Sequence, residues 1–311
     1  MGEVKAIRHK DAGTRWNKVA TTHRGRPNWG IKAVITQITG AVARAMLVVM
    51  LVATPSLLVT GMSSDAVQIV ALVGLLAAAL VLFEYTATYP GLLEFRDAPP
   101  FNRIRFFAMF ITVFLLSYMA RADIDPSVAS RFLASIALLI GQILDFPYSP
   151  VRLFTLMLPA GDGIVSQADI RASAGLAYFI SIVSVALFSI ILRSKRWPVS
   201  NGSFNVWVNL PTFDPTSGGD VIERMQGLAR IDVALGVLVP FLLPATVTIL
   251  TLYFDGLTLE NPQTLIWMVS AWAILPASLI MRGIALWRIA KLIGEQRRRA
   301  VPGYEEAFQP A

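Results

Sequence analysis

Seven apolar blocks run through this chain, and the segments before the first and after the last are both rich in lysine and arginine. That combination constrains the fold more than any motif does. A run of roughly 17–20 apolar residues crosses about 30 Å of hydrocarbon as a helix. Within a bilayer, only helices or closed barrels satisfy every backbone N–H and C=O. Six blocks have the necessary length: 38–59, 66–83, 104–120, 174–192, 233–254 and 264–281. With 55% hydrophobic and 15% charged residues, the chain is too apolar for a soluble domain of its size. The seventh block, 132–158, is interrupted. If all seven crossed, the two basic ends would face opposite sides, whereas basic flanks stay on the cytoplasmic side.

Counting the charges decides between the two layouts. Seven crossings would divide the flanking Lys and Arg residues 13 to 12, which is no bias. If 132–158 enters and leaves on the outer face, the split becomes 21 inside to 4 outside. The local sequence agrees. Phe132–Leu144 makes only about 20 Å of helix, and Asp145-Phe146-Pro147-Tyr148-Ser149-Pro150 stops it. The sequence therefore predicts an all-α polytopic integral membrane protein. It has about six transmembrane helices, a re-entrant or broken hairpin at 132–158, and both termini cytoplasmic. Two short crossings in 132–158 give nearly the same split, and one span followed by a surface loop is the third alternative.

The expected organisation is a basic cytoplasmic arm at 1–37, a helical membrane domain at 38–287 and a basic cytoplasmic tail at 288–311. Block 38–59 reads as a retained anchor, since no small-residue cleavage pattern follows it. The cytoplasmic loops are 84–105 and 193–232. In the second, Phe204–Leu210 alternates apolar and polar residues, and a short helix is expected near a capping Asp220. Asp123-Ile124-Asp125, followed by Pro126, reads as a helix-initiating turn. Residues 282–299 are expected to carry the last span out of the membrane as a basic helix. Trp29, Trp197, Trp267 and Trp287 fall at predicted boundaries, as an aromatic belt would. The net charge of +7 follows from positive-inside bias, so the expected partners are anionic lipid headgroups and other membrane subunits rather than nucleic acid. A bacterial cytoplasmic membrane is the expected location.

The exclusions are the most specific functional information. The chain has no cysteine, and its two histidines, His9 and His23, lie in the N-terminal arm. Histidine-ligated haem, a His-box di-iron site, an H-E-x-x-H zinc site and a membrane-embedded Ser–His pair therefore have no ligands or base. No cofactor is expected. What remains is carboxylates and arginines. Arg44, Glu84 and Arg282 are the candidate intramembrane charges, with an Arg44–Glu84 ion pair geometrically possible. Asp145 and Tyr148 are the candidates for an ion or substrate path at the hairpin tip. Glu94, Arg96, Asp97, Arg103 and Arg105 form a candidate cytoplasmic cluster suited to phosphate headgroups. Three functions fit. The first is a non-catalytic scaffold, accessory or assembly subunit of a membrane complex. The second is a channel or secondary transporter using 132–158. The third is a lipid-headgroup enzyme using loop 84–105.

Overall fold

The computed structural model describes residues 29–59, 64–122, 126–158, 166–194, 197–198, 205–214, 216–250 and 262–300. Within them the chain forms helices and no strand: α1 Trp29–Leu58, α2 Ser64–Thr86, α3 Phe101–Arg121, α4 Val128–Leu144, α5 Pro150–Met157, α6 Gln167–Ser194, α7 Val206–Asn209, α8 Val221–Leu250 and α9 Pro262–Ala300. Six of them, α1, α2, α3, α6, α8 and α9, are long and apolar enough to cross a membrane. The protein is thus an all-α polytopic membrane protein: blocks 66–83, 104–120, 174–192 and 264–281 lie wholly within α2, α3, α6 and α9, block 38–59 ends one residue past α1, and block 233–254 runs past the end of α8 into residues outside the described ones. Six crossings return a chain to the side it started from.

Several boundaries differ from expectation. α1 already begins at Trp29, so the last part of the expected arm is helical. The helix expected at Asp220 is not separate. It is the first part of α8, a continuous 30-residue helix whose Ile222 N–H donates to the Asp220 carboxylate at 3.3 Å. The alternating stretch around 204–210 contains a single helical turn, α7. α9 runs 39 residues, so the basic stretch 282–299 continues the helix of the last span. Residues 1–28, the Asp123–Asp125 turn and the tail 301–311 lie outside the described residues.

The bundle is built from antiparallel hairpins. α8 and α9 approach closely because glycine sits at their crossings. A Cβ at Gly236 would lie 2.7 Å from the Pro276 carbonyl, and one at Gly283 would lie 2.8 Å from the Ala229 carbonyl. Small residues at such contacts drive helix association where lipid removes the hydrophobic force. Pro244 lacks the N–H that would bond the Pro240 carbonyl. The Trp272 indole N–H donates to that carbonyl at 3.1 Å, so α9 supplies the donor that the proline in α8 lacks. α1 and α2 form a second hairpin, tied at one end by Gln37 to the Tyr85 carbonyl (3.1 Å). Two apolar clusters fill the bundle, one around Phe154, Trp272 and Tyr178, the other around Phe95, Phe101, Phe188 and Trp197. Trp197 belongs to this second cluster at 2% exposure, and so does not face lipid as a belt residue would.

The interrupted block forms two short helices, α4 and α5, with a break at 145–149. Ser127 caps α4 in a reciprocal capping box with Ser130, and Ser149 caps α5 with Pro150 in the first turn. The two limbs diverge, α4 lying on α6 and α3, and α5 on α8 and α6. Both ends of the segment sit at one end of the bundle. Ser127 Oγ is 3.2 Å from the Tyr118 hydroxyl near the end of α3, and the Thr155 carbonyl accepts from Gln167 at the start of α6 at 2.7 Å. These ends of α3 and α6 line one cavity, with Met119 and Ala172 on its walls.

Candidate functional site

The opposite end of the bundle carries the 84–105 loop, and its polar residues are organised by three anchors. The first is Glu84, which closes α2 and is buried. Its carboxylate accepts the backbone N–H groups of Gly91, Leu92 and Leu93 at 3.1, 3.1 and 3.0 Å. An isolated buried carboxylate is costly, and convergent N–H donors satisfy it. Glu84 therefore shapes the loop rather than pairing with Arg44. Arg44 instead lies over the Tyr85 ring, 4.4 Å from its centroid. The second anchor is Arg96, whose Nη1 donates to the Ala87 carbonyl at 2.6 Å and the Glu84 carbonyl at 3.1 Å. Its Nε contacts Asp97 at 3.3 Å, and the Asp97 side chain is 59% exposed.

The third anchor reaches across the fold. Arg282 of α9 grips Glu94 through two parallel contacts, Nε to Oε2 at 2.5 Å and Nη2 to Oε1 at 2.8 Å. Its Nη1 donates to Asp232 of α8 at 2.6 Å. All three side chains are at most 21% exposed. Glu94 also accepts the Thr212 hydroxyl at 2.7 Å. Phe95, in a left-handed conformation (φ 54°), donates its N–H to the Asn209 carbonyl at 2.7 Å, and the Asp97 N–H donates to the Asn209 side chain at 3.0 Å. The two basic-face loops are thus one structure, latched to the α8–α9 hairpin. The Phe95 conformation lets consecutive side chains diverge, Glu94 toward Arg282 and Phe95 into the core, and such strain persists only where surroundings over-determine it. At the foot of α8, Arg297 donates to Asp220 at 2.6 Å and holds that carboxyl below its usual range.

At the other end of the bundle, Asp145 lies between two arginines. Arg152 Nε approaches Oδ1 at 2.5 Å and its Nη2 donates to the Asp145 carbonyl at 3.0 Å. Arg171 Nε lies 2.9 Å from Oδ2, an ion-pair contact without hydrogen-bond alignment. Tyr148, in a left-handed conformation (φ 64°), is 85% exposed and turned outward. The turn between α4 and α5 is therefore held by Asp145 contacting Arg152 of α5 and Arg171 of α6. Asp145→Asn is expected to leave both guanidinium groups under-satisfied and to lower stability by about 1–3 kcal/mol. Thermal unfolding in mild detergent measures this, and an unchanged Tm would contradict it.

Three chambers that share lining residues lie at the end of the bundle that carries the 84–105 loop, the largest of them between the hairpin α1–α2 and the wall made by α3 and α9. The largest, about 750 Å³, runs along Leu47, Phe106 and Leu275 and ends at Arg44, Arg103 and Arg105. A second of about 410 Å³ adds Glu94 and Arg282, and a third of about 280 Å³ adds Arg96 and Asp97. The predicted cluster thus divides: Glu94 and Arg105 line one side chamber, while Arg96, Asp97 and Arg103 line the other. Asp145 and Tyr148 line none of the three.

Asp232, Asn209 and Thr212 were missed by sequence reasoning. Asp232 had a readable signal. It and Arg282 flank the same-side ends of two consecutive predicted spans, which places them at one depth on neighbouring antiparallel helices. Asn209 and Thr212 had none, because their roles depend on how two distant loops fold together. No family model, no curated protein and no solved structure matches this chain significantly.

Proposed function

We propose that this chain is a non-catalytic scaffold, accessory or assembly subunit of a larger membrane protein complex. It sits in a bacterial cytoplasmic membrane with both ends on the cytoplasmic side. The observation that carries this reading is the uneven burial of the spans. The most apolar window of α9 is 61% buried, whereas that of α2 is 6% buried and has the highest mean hydropathy, 2.7. α2 packs on α1 alone among the described helices, and its only buried residues are Gly74 and Glu84. A hairpin held along one edge and set apart from the body by a cleft offers a long face to another span. In hydrocarbon, such a face gains free energy from close packing with a partner helix rather than from burial of leucine.

The charges support the same reading. Glu94, Asp232 and Arg282 hold one another, and Asp145 is neutralised from two sides. A headgroup enzyme would need Glu94 and Asp97 in one pocket, and they line separate chambers. A photo-crosslinking residue placed at exposed Leu76 of α2 in native membranes tests the proposal. A discrete protein adduct that also co-purifies in mild detergent is the expected result. Lipid adducts alone, with a chain that purifies by itself, would remove the scaffold reading.

A further inference from the structure

The large chamber between the α1–α2 hairpin and the α3–α9 wall has two different ends. Along most of its length it is apolar, with Leu47 and Val48 from α1, Phe106 and Met109 from α3, and Ile274 and Leu275 from α9. At the end facing the 84–105 loop it carries Arg44, Arg103 and Arg105. Among the described residues none of these three arginines forms a salt bridge. Arg105 Nε is buried and has no hydrogen-bond partner, and its guanidinium lies 5.0 Å from the Phe101 ring centroid. Of the acids that line the adjoining chambers, Glu94, beside Arg105, is already held twice by Arg282, and Asp97, beside Arg44 and Arg103, is in contact with Arg96 at 3.3 Å.

The helix adds to the imbalance. Arg103 and Arg105 sit in the first two turns of α3, which begins without a side-chain cap and has no acidic residue in its first turn. A helix N-terminus carries positive partial charge, so cations there are unfavourable and an anion is favourable. Gly40 leaves room for the Arg44 guanidinium. A Cβ at that position would lie 2.8 Å from Arg44 Nη1. The polar side chamber shares Arg44, Tyr85, Asn102 and Arg103 with the large one and adds Arg96 and Asp97, so it offers space for a small headgroup under three arginines and one carboxylate.

We propose that this cleft holds one anionic glycerophospholipid from the leaflet on the basic face. Its phosphate lies among Arg44, Arg103 and Arg105, its polar headgroup in the side chamber toward Asn102, and an acyl chain along the α1–α3–α9 trough. Guanidinium groups match phosphate oxygens in charge and geometry, and basic pockets between transmembrane helices are suited to anionic headgroups.

The chain's own ends fit poorly. Segment 1–28 carries seven Lys/Arg against two Asp/Glu, the wrong sign for this end of the cleft. Glu305 and Glu306 follow the end of α9, and the helix from cleft residue Ser278 to Ala300 extends about 33 Å. The chain from Ala300 to Glu306 reaches back only about 20 Å.

The inference is independent of the scaffold reading. Native mass spectrometry of the full chain in a neutral detergent tests it, with phosphatidylglycerol, phosphatidylethanolamine and phosphatidylcholine of matched chains supplied equally. All three lipids carry the same phosphodiester, but the two zwitterionic ones would add an ammonium to a chamber lined by Arg44, Arg96 and Arg103, so one phosphatidylglycerol should be retained about tenfold more strongly than either of them. R44Q/R105Q should abolish that preference, while R193Q, at an exposed arginine outside the cleft, should keep it. V48W, which fills the trough and leaves the arginines in place, should also lower retention, and guards against a folding failure of the double variant. Equal retention of all three lipids, a preference that survives R44Q/R105Q or V48W, or displacement of the lipid by inorganic phosphate would each overturn the proposal.

Discussion

Replacing Arg282 with alanine is expected to destabilise the protein by about 3–5 kcal/mol, the magnitude observed when one partner of a buried ion pair is removed. The reason is what remains. Glu94 and Asp232 are 12% and 9% exposed at the side chain, and Arg282 is the cation between them. Without it, two carboxylates face each other with little water. Glu94 keeps its Thr212 hydroxyl contact, which satisfies one lone pair and no charge. The loss should not be confined to α9. Glu94 adjoins Phe95, whose ring packs against Phe101 at 4.5 Å and whose N–H bonds the Asn209 carbonyl. Hydrogen exchange should therefore rise in both 84–100 and 205–213. The triple replacement E94Q/D232N/R282M removes the charges together and should recover most of the loss, since a buried pair is weak as net stabilisation but costly to break. Thermal unfolding in detergent reads both variants. A single variant as stable as the parent would mean that water already screens these charges.

Gly175→Leu should have an effect of similar size at the other end of the bundle. A Cβ at Gly175 would lie 2.4 Å from Gly141 Cα and 2.8 Å from Gly141 N, and one at Gly141 would lie 2.8 Å from the Arg171 carbonyl. These neighbours are backbone, so no rotamer change relieves the clash, and α4 must move off α6. Overpacking of this kind costs about 1–3 kcal/mol where side chains can adjust, and the backbone contact places this case at or above that range. Detachment of α4 would also pull Asp145 away from Arg171, 2.9 Å distant. The expected signature is lost hydrogen-exchange protection across 128–144, with the α8–α9 hairpin unaffected. Uniform loss across all helices, or none, would show that the glycine contact does not hold the segment.

Much of this architecture was legible from the order of apolar and charged residues. The six long helices follow from block length, because hydrocarbon thickness sets a minimum that few soluble segments meet. The break at 145–150 follows from two prolines and an aspartate. What the sequence hid was side-chain partnership. Arg44 and Glu84 fall near the same face, and proximity suggested a pair. The backbone N–H groups of 91–93 compete for that carboxylate and hold it, a competition that no spacing rule reveals. Arg282 was visible as an intramembrane charge, but its two acids lie 188 and 50 residues away in sequence. The alternation before Leu210 suggested nothing of the Asn209 latch, since a residue that bonds two strands of loop carries no periodic signature. Asp145 read as a candidate for an ion or substrate path at a tip, whereas Arg152 and Arg171 flank it only once the limbs fold against α6.

Reporter fusions at the two chain ends test the central claim most directly, using one reporter that is active only in the cytoplasm and another active only outside it. An even number of membrane crossings, with 127–158 returning to the face it left, predicts cytoplasmic signal from residue 1 and from residue 311 alike. Signals from opposite compartments would mean that the interrupted block traverses the bilayer once, contradicting the account.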